Sequence, residues 1–250
     1  MSKRDGQKTG SGKTAGKGGA SPARGDLKIR VKTARGRSVS SQAWLKRQLN
    51  DPYVAAAKEA GYRSRAAYKL TELDDKFHFL KPGKRVLELG AAPGAWTQVN
   101  IARVKGGKVV AIDINPMEPI AGATVLQLDA ESPEADDILF EAVGGKVDVI
   151  ESDMASPATG HRATDHIRII ALVEAAFSFA ERMLAPGGAF VAKMLRGGGE
   201  HEFLALLKRR FETVRTVKPG ASRADSSEIF IVCLGYRPTP ESPESPTPSS

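Results

Sequence analysis

The sequence of 250 residues predicts an α/β fold with a seven-stranded, mostly parallel sheet, helices on both faces and a C-terminal antiparallel hairpin. Two observations predict it. Short apolar segments typical of buried strands alternate with segments of helical length across residues 85–195. Two further apolar segments, 213–218 and 228–236, have only about ten residues between them, which is too short for a helical crossover and therefore predicts a hairpin.

The elements are justified in chain order by periodicity and by turn residues. Residues 41–73 are expected to be helical, with an interruption at Asp51 and Pro52, where Pro52 fits the first turn of a new helix. The predicted strands are 85–90, 108–113, 124–129, 147–153, 189–195, 213–218 and 228–236. The later predicted helices are 95–104, 133–143, 164–184 and 200–211.

The predicted folded domain spans residues 41–237 and lies between two tails. Residues 1–40 hold eleven Lys and Arg against two Asp, so they account for the formal net charge of +8. This Gly-rich tail has too few apolar residues to offset its ordering entropy, and we expect it to be disordered. Its charge favours attraction to a phosphate backbone. Residues 238–250, rich in Pro and Ser, are expected to form a second disordered tail.

Composition also excludes several classes of protein. The single cysteine, Cys233, excludes an intrachain disulfide. There is no apolar stretch approaching the roughly 18 residues of a membrane span, and the N-terminus lacks a signal-peptide core, so a cytoplasmic protein is expected. His161 and His201 have no Cys or His partners at metal-ligand spacing, and we therefore expect no metal.

A turn of small residues follows the first predicted strand. Residues 90–94 read GAAPG, and the next predicted strand ends at Asp113. A turn that lets a ligand approach the backbone, followed by a carboxylate that accepts from ribose hydroxyls, is typical of nucleotide binding in open α/β sheets. Because the third glycine of the dinucleotide fingerprint is absent, a nucleoside such as the adenosyl part of S-adenosylmethionine is favoured over NAD.

Other polar residues are predicted at the same edge of the sheet. Asp129 and Asp153 follow later strands, and the carboxyl ends of parallel strands meet at one edge. Lys193 lies inside an apolar strand, where an unpaired lysine would be costly. These placements favour a functional site rather than separate turn residues.

Five motifs extend this pattern over most of the chain. They are GYRSRAAYKL at 61–70, LELGAAPGAW at 87–96, SDMA at 152–155, FVAK at 190–193 and SRADSSE at 222–228. In this order the chain resembles the FtsJ/RlmE family of ribosomal RNA 2′-O-methyltransferases, from about residue 43 to residue 237. The resemblance implies a Rossmann-like class I methyltransferase fold, S-adenosylmethionine as methyl donor and a monomer. It also implies methylation of a uridine 2′-hydroxyl in 23S RNA on the assembled large ribosomal subunit.

The resemblance further implies the site residues. The catalytic set would be Lys69, Asp153, Lys193 and Glu228, with Lys193 as a general base that must be neutral when it accepts the proton. Lys69 and Glu228 would position the ribose and stabilise developing charge. The implied cofactor contacts are Gly90, Gly94, Trp96, Asp113, Asp129 and Asp153, with Gly94 and Trp96 beside the methionine portion, Asp113 at the ribose and Asp129 at the adenine amino group.

RNA binding requires cations near the catalytic set. The candidates are the predicted helical segment 44–48, which contains Lys46 and Arg47, and the residues Arg63, Arg65, Arg196 and Arg223. Two alternative functions stay open. One is a 2′-O-methyltransferase of the same fold that acts on tRNA, and the other is a non-enzymatic RNA-binding protein. The presence of Lys193 and of the glycine turn disfavours the second.

Overall fold

The seven-stranded sheet and the helices on its two faces are present in the computed structural model, which describes residues 38–157, 159–197 and 200–239. The helices are α1 Val39–Leu49, α2 Pro52–Glu59, α3 Ala66–Phe77, α4 Ala95–Val104, α5 Ala135–Val143, α6 Arg162–Met183 and α7 His201–Arg210. The strands are β1 Arg85–Leu89, β2 Lys108–Asp113, β3 Thr124–Gln127, β4 Val147–Ser152, β5 Leu184–Leu195, β6 Phe211–Val217 and β7 Glu228–Tyr236. Apart from residues 38–40 and 238–239, the two predicted tails lie outside the described residues.

The strand order is β3-β2-β1-β4-β5-β7-β6, which confirms the predicted fold class. The pairs β1–β2, β1–β4, β2–β3 and β4–β5 are parallel, whereas β7 pairs antiparallel with both β5 and β6. The last strand therefore lies between β5 and β6. This topology places the carboxyl ends of β1, β2 and β4 at one edge, beside the start of β7.

Except at the start of β5, the strand boundaries agree with the expectation to within two residues, and two of the differences matter here. Strand β5 begins at Leu184, five residues before the predicted start, because Leu184 pairs with Val147 and the segment then continues through a register shift. The turn-forming Pro186 and Gly187 concealed this extension in the sequence. Strand β3 ends at Gln127 rather than at residue 129, so Asp129 lies in the loop beyond the strand.

The core is divided by the sheet into two layers. Alternate side chains of β1 point to opposite faces, so Leu87 and Leu89 pack with α5, α6 and α7, whereas Val86 packs with α3 and α4. The buried run of β7 contributes to both layers in the same alternating way. The sheet is thus covered on both faces, as a parallel sheet requires.

The N-terminal helices begin where their capping residues allow. The Ser38 hydroxyl accepts a hydrogen bond from the Ser41 amide at the start of α1, which begins two residues before the predicted domain boundary. The Asp51 carboxylate accepts from the Tyr53 amide, 3.1 Å away, with Pro52 in the first turn of α2. Helix α3 then places Lys69 beside Glu228, at the edge of the sheet where the parallel strands end.

Within the part of the chain that the structure describes, no helix combines the length and the apolar character needed to cross a membrane.

Cys233 is fully buried in β7, and burial raises the pKa of its thiol above the ordinary range.

Two carboxyl groups, Glu88 and Glu151, are buried side by side on β1 and β4. Burial raises the pKa of Glu88 to about 8, although the Thr97 hydroxyl donates to it over 2.7 Å. Burial and the neighbouring Glu88 also raise the pKa of Glu151, to which Asn100 donates over 2.8 Å. The folded chain therefore holds protons here that an unfolded chain releases near pH 4.5.

Substitution Glu88→Gln is expected to flatten the pH dependence of stability. A carboxyl whose pKa is raised on folding makes the free energy of unfolding fall as pH increases from about 4.5 towards 8. Between pH 6 and pH 8 the wild type should lose on the order of 2 kcal/mol of stability that the variant keeps. Denaturant unfolding at pH 6 and pH 8 measures the difference. The exposed Glu141→Gln variant is the control, and parallel pH profiles for Glu88→Gln and the wild type would contradict the expectation.

Candidate functional site

A cleft of about 360 Å³ opens at the carboxyl edge of the sheet. It brings together four of the predicted site residues, Gly90, Asp113, Asp129 and Asp153. Much of the remaining wall is apolar and comes from the residues Ile112, Ile114, Leu128, Met154 and Leu172. The cleft therefore offers apolar walls for a flat ring and carboxylates for hydroxyl or amino groups.

The turn after β1 forms one wall of this cleft. Gly90 has a φ of +75°, and a Cβ placed on it would lie 2.7 Å from the Met154 Cγ and 2.8 Å from the Met154 Cα. A side chain at position 90 would thus require the loop after β4 to move. The Ala92 amide donates to Oδ2 of Asp113 over 2.9 Å, which ties the turn to the end of β2.

The carboxylates of Asp113 and Asp129 are held by hydrogen bonds from their own loops. Asp113 Oδ1 accepts from the amide of Asn115 over 2.8 Å and from its side chain over 3.0 Å. Asp129 Oδ1 accepts from the amide of Glu131 over 2.9 Å. Because carboxylates accept ribose and amine protons and the surrounding walls are apolar, the residues present fit an adenosyl group.

Gly94 ends the turn and Trp96 follows it, and neither is among the residues that line the cleft. Trp96 is 2% exposed, its indole Nε1 donates to the Ala66 carbonyl over 2.9 Å, and its ring packs against Phe230. Gly94 leaves room for the loop after β2, since a Cβ there would approach the side chains of Met117 and Ile120. The Trp96 side chain therefore joins α4 to α3, and its contact with a cofactor stays a prediction.

Arg63, a candidate for RNA contact, makes hydrogen bonds to other segments of the protein. Its guanidinium donates to three carbonyls, those of Pro93 at 3.0 Å, Glu118 at 2.7 Å and Pro119 at 3.0 Å. These bonds join the segment before α3 to the glycine turn and to the loop after β2. The sequence could not show this because the three carbonyls belong to two separate loops.

The four residues of the predicted catalytic set form two ion pairs. Lys193 Nζ lies 3.0 Å from Oδ1 of Asp153 and donates to the Asp153 backbone carbonyl over 2.5 Å. Lys69 Nζ lies 2.7 Å from Oε1 and 2.8 Å from Oε2 of Glu228. The four side chains are only 10–22% exposed, so the pairs are largely shielded from water.

The two ion pairs also interact with each other. Lys193 lies opposite Phe230 in the β5–β7 ladder, two residues from Glu228 along β7. Burial alone would raise the pKa of Glu228, but Lys69, a hydrogen bond from Ser222 and the charge of Lys193 together lower it. Glu228 is therefore a carboxylate at neutral pH. Ser222 belongs to a sequence motif, but the sequence assigned it no role.

A second cleft, also about 360 Å³, opens beside Lys69 and Glu228. Its lining is strongly polar and includes the residues Arg47, Ser64, Arg65, Arg223, Asp225 and Ser226. Arg65 and Arg223 both pair with Asp51, which holds them at the cleft wall. Asp153 lines the first cleft, whereas Lys69 and Glu228 line the second, and Lys193 lines neither, so the predicted catalytic residues are divided between the two clefts. Among the residues described, no group of three His, Cys, Asp or Glu could hold a metal ion.

The chain is similar to several known proteins. The model of the FtsJ-like methyltransferase family matches residues 62–236. The ribosomal RNA large subunit methyltransferase E of Parvibaculum lavamentivorans is 57% identical over 94% of this chain and 98% of that protein. The Jannaschia protein of the same name is 54% identical over 90% of this chain and 97% of its own. A Plasmodium falciparum protein, described as a ribosomal RNA methyltransferase, has a crystal structure that superposes with a TM-score of 0.64 at 35% identity, over 70% of this chain and 98% of that one.

Proposed function

Because this chain belongs to the FtsJ-like methyltransferase family, we propose that it transfers a methyl group from S-adenosylmethionine to the 2′-hydroxyl of a uridine in large-subunit ribosomal RNA. The observation that carries the proposal is the placement of the predicted catalytic residues: Asp153, paired with Lys193, lines the first cleft, and Glu228, paired with Lys69, lines the cation-lined cleft. The names of the similar proteins support large-subunit RNA as the substrate. The proposal includes a monomer that acts in the cytoplasm, as the resemblance to the family implies.

The cofactor cleft has a group for each part of an adenosyl ligand. Asp113 would accept from the ribose hydroxyls, Asp129 would accept from the adenine amino group, and Ile112 and Leu128 would contact the ring. Asp153 would lie nearest the methyl centre. S-adenosylmethionine, when bound, supplies a methyl group on a sulfonium that is activated for displacement.

Lys193 is arranged to accept the proton of the ribose hydroxyl. A neutral amine has two N–H donors and one lone pair; one donor reaches the Asp153 carbonyl, and the Asp153 carboxylate lies 3.0 Å away as an ion-pair partner without hydrogen-bond geometry. The lone pair is then left for the hydroxyl proton. Asp153 therefore fixes the direction of the base rather than taking the proton itself.

Lys69 and Glu228 act on the oxygen that gains negative charge. The Lys69 ammonium stabilises that charge as the proton leaves, and its pairing with both oxygens of Glu228 holds the ammonium in position before the RNA binds. Because the ion pair is already formed, little reorganisation is needed at the moment of reaction.

The cations of the second cleft are suited to the RNA backbone. Arg47, Arg65 and Arg223 line it within reach of the catalytic set. Phosphate contacts would fix the strand while one nucleotide is splayed towards Lys193. Such contacts position the RNA but do not select its sequence.

Transfer of label from S-adenosylmethionine tests the proposed substrate. The acceptors are large ribosomal subunits from cells that lack the enzyme, protein-free ribosomal RNA and bulk tRNA, followed by mapping of the labelled nucleotide. We expect label in the RNA of the subunit. Label in tRNA alone would support the alternative function, a 2′-O-methyltransferase of the same fold that acts on tRNA. Cofactor binding without label in any acceptor would contradict the proposal.

Removal of residues 1–37 is expected to weaken RNA binding and reduce its salt dependence. The segment holds eleven Lys and Arg, and each phosphate that they no longer neutralise reduces the slope of log affinity against log salt by about 0.7 for single strands. The truncation retains the Ser38 cap of α1. Binding measured from 50 to 200 mM salt, roughly the range in which such effects are large, gives the slope. Removal of residues 240–250, which contain no Lys or Arg, is the control. An unchanged slope after removal of residues 1–37 would contradict a role for this tail.

A further inference from the structure

The Ser222 hydroxyl contacts the catalytic carboxylate directly. It donates to Oε1 of Glu228 over 2.7 Å, and the same oxygen lies 2.7 Å from Lys69 Nζ. Ser222 is 2% exposed, so bulk water competes little for this hydrogen bond. The hydroxyl thus helps to orient Glu228 without adding a charge to a site that already contains two lysines.

Ser222 lies in the segment 221–228, and this segment is anchored to α3, the helix that carries Lys69. Arg65, at the start of α3, donates to the Ala221 carbonyl, and the Ala221 amide donates to Glu72 of α3 over 3.0 Å. Residues on both sides of Lys69 on α3 therefore hold the backbone next to Ser222. The serine, the carboxylate and the lysine are parts of one connected unit.

The C-terminal part of the segment is held separately. Lys218 Nζ donates to the carbonyls of Ala224 at 3.1 Å and Ser226 at 2.5 Å. The Ser226 hydroxyl accepts from the backbone amide of Glu228 over 3.1 Å. Ser226 thus contacts the backbone of Glu228, whereas Ser222 contacts its carboxylate. Substitutions of the two serines therefore test the two contacts separately.

We propose that Ser222 is a positioning residue, which holds the Glu228 carboxylate against Lys69 and thereby fixes the direction of the Lys69 ammonium towards the ribose oxygen. This inference rests on the proposed methyl transfer. Ser222 acts through Glu228 and does not contact the reacting atoms.

The test compares Ser222→Ala, Ser222→Thr and Ser226→Ala in the full chain. Steady-state methyl transfer gives kcat and KM, and a ¹³C NMR titration of labelled Glu side chains, assigned with Glu228→Gln, follows the Glu228 carboxyl. Ser222→Ala is expected to lower kcat about tenfold, the effect of losing one hydrogen bond to a charged group, with the cofactor KM unchanged. The pKa of Glu228 should rise in Ser222→Ala because its ionised form has one donor fewer, and it should return in Ser222→Thr.

The outcomes separate positioning from simple packing. A raised Glu228 pKa and a lowered kcat in Ser222→Ala, with the Glu228 titration unchanged in Ser226→Ala, support the inference. An unmoved titration in Ser222→Ala overturns it, as does an equal loss of kcat in Ser222→Ala and Ser222→Thr when both unfold at the wild-type temperature. The titration does not depend on turnover, so it still decides the role of Ser222 if the wild type fails to methylate ribosomal RNA and the proposed function fails.

Discussion

Replacement of Lys193 by Met is expected to lower kcat for methyl transfer by about 10³-fold, within the range for losing a general acid or base. Methionine fills a similar volume in β5 but has no lone pair basic enough to accept the hydroxyl proton. Asp153 would keep its hydrogen bond from its own amide to the Leu89 carbonyl, 3.1 Å away, so the cleft wall should stay in place. Titration with S-adenosylhomocysteine should accordingly give an affinity close to that of the wild type.

A matched lysine separates this effect from the loss of any Lys–Asp pair. Lys84 pairs with Asp148 over 2.6 Å at the opposite end of the sheet, where β1 and β4 begin. Lys84→Met removes the same kind of ion pair and should leave kcat unchanged. A Lys193→Met enzyme that retains more than about a tenth of wild-type kcat would contradict the assignment of Lys193 as the base.

Substitution Gly90→Ala is expected to abolish measurable cofactor binding, through two separable effects. The residue has a φ of +75°, where any side chain costs about 1–2 kcal/mol. The added Cβ would also lie 2.8 Å from the Met154 Cα and amide nitrogen, which are backbone atoms that cannot rotate away. The turn and the loop after β4 would have to separate, and the cleft between them would change shape.

Gly83 provides the matched control. Its φ is +80°, and a Cβ placed on it meets nothing within 4 Å. Gly83→Ala should therefore lower the free energy of unfolding by about 1–2 kcal/mol with cofactor affinity unchanged, whereas Gly90→Ala should lower both. Denaturant unfolding and calorimetric titration with S-adenosylhomocysteine measure the two quantities. Wild-type affinity in Gly90→Ala would contradict the proposed position of the cofactor.

The parts of the fold that depend on local pattern were predictable. The apolar runs of β1, β2 and β7 and the short connection before β7 predict the parallel sheet and its terminal hairpin without tertiary information. Because carboxyl ends of parallel strands share an edge, the convergence of Asp113, Asp129 and Asp153 could be predicted as well. These predictions require only that the residues at the end of each strand are known.

The remaining features depend on side-chain direction and on contacts between distant loops. Trp96 follows the glycine turn in the sequence, but helix α4 directs its ring towards α3 and Phe230. Arg63 lies among cationic residues, yet its partners are carbonyls of loops that the chain reaches later. The contact between Glu88 and Glu151 depends on strand register, which no local pattern specifies.

The central claim is that the methyl group is transferred to a ribose oxygen held at Lys193 rather than to the nucleobase. The most direct measurement is digestion of the methylated ribosomal RNA to nucleosides, followed by chromatography and mass spectrometry. The expected result is 2′-O-methyluridine in RNA treated with the wild type and, in the same time, about 10³-fold less of it in RNA treated with Lys193→Met. A methyl group on the uracil ring would contradict it.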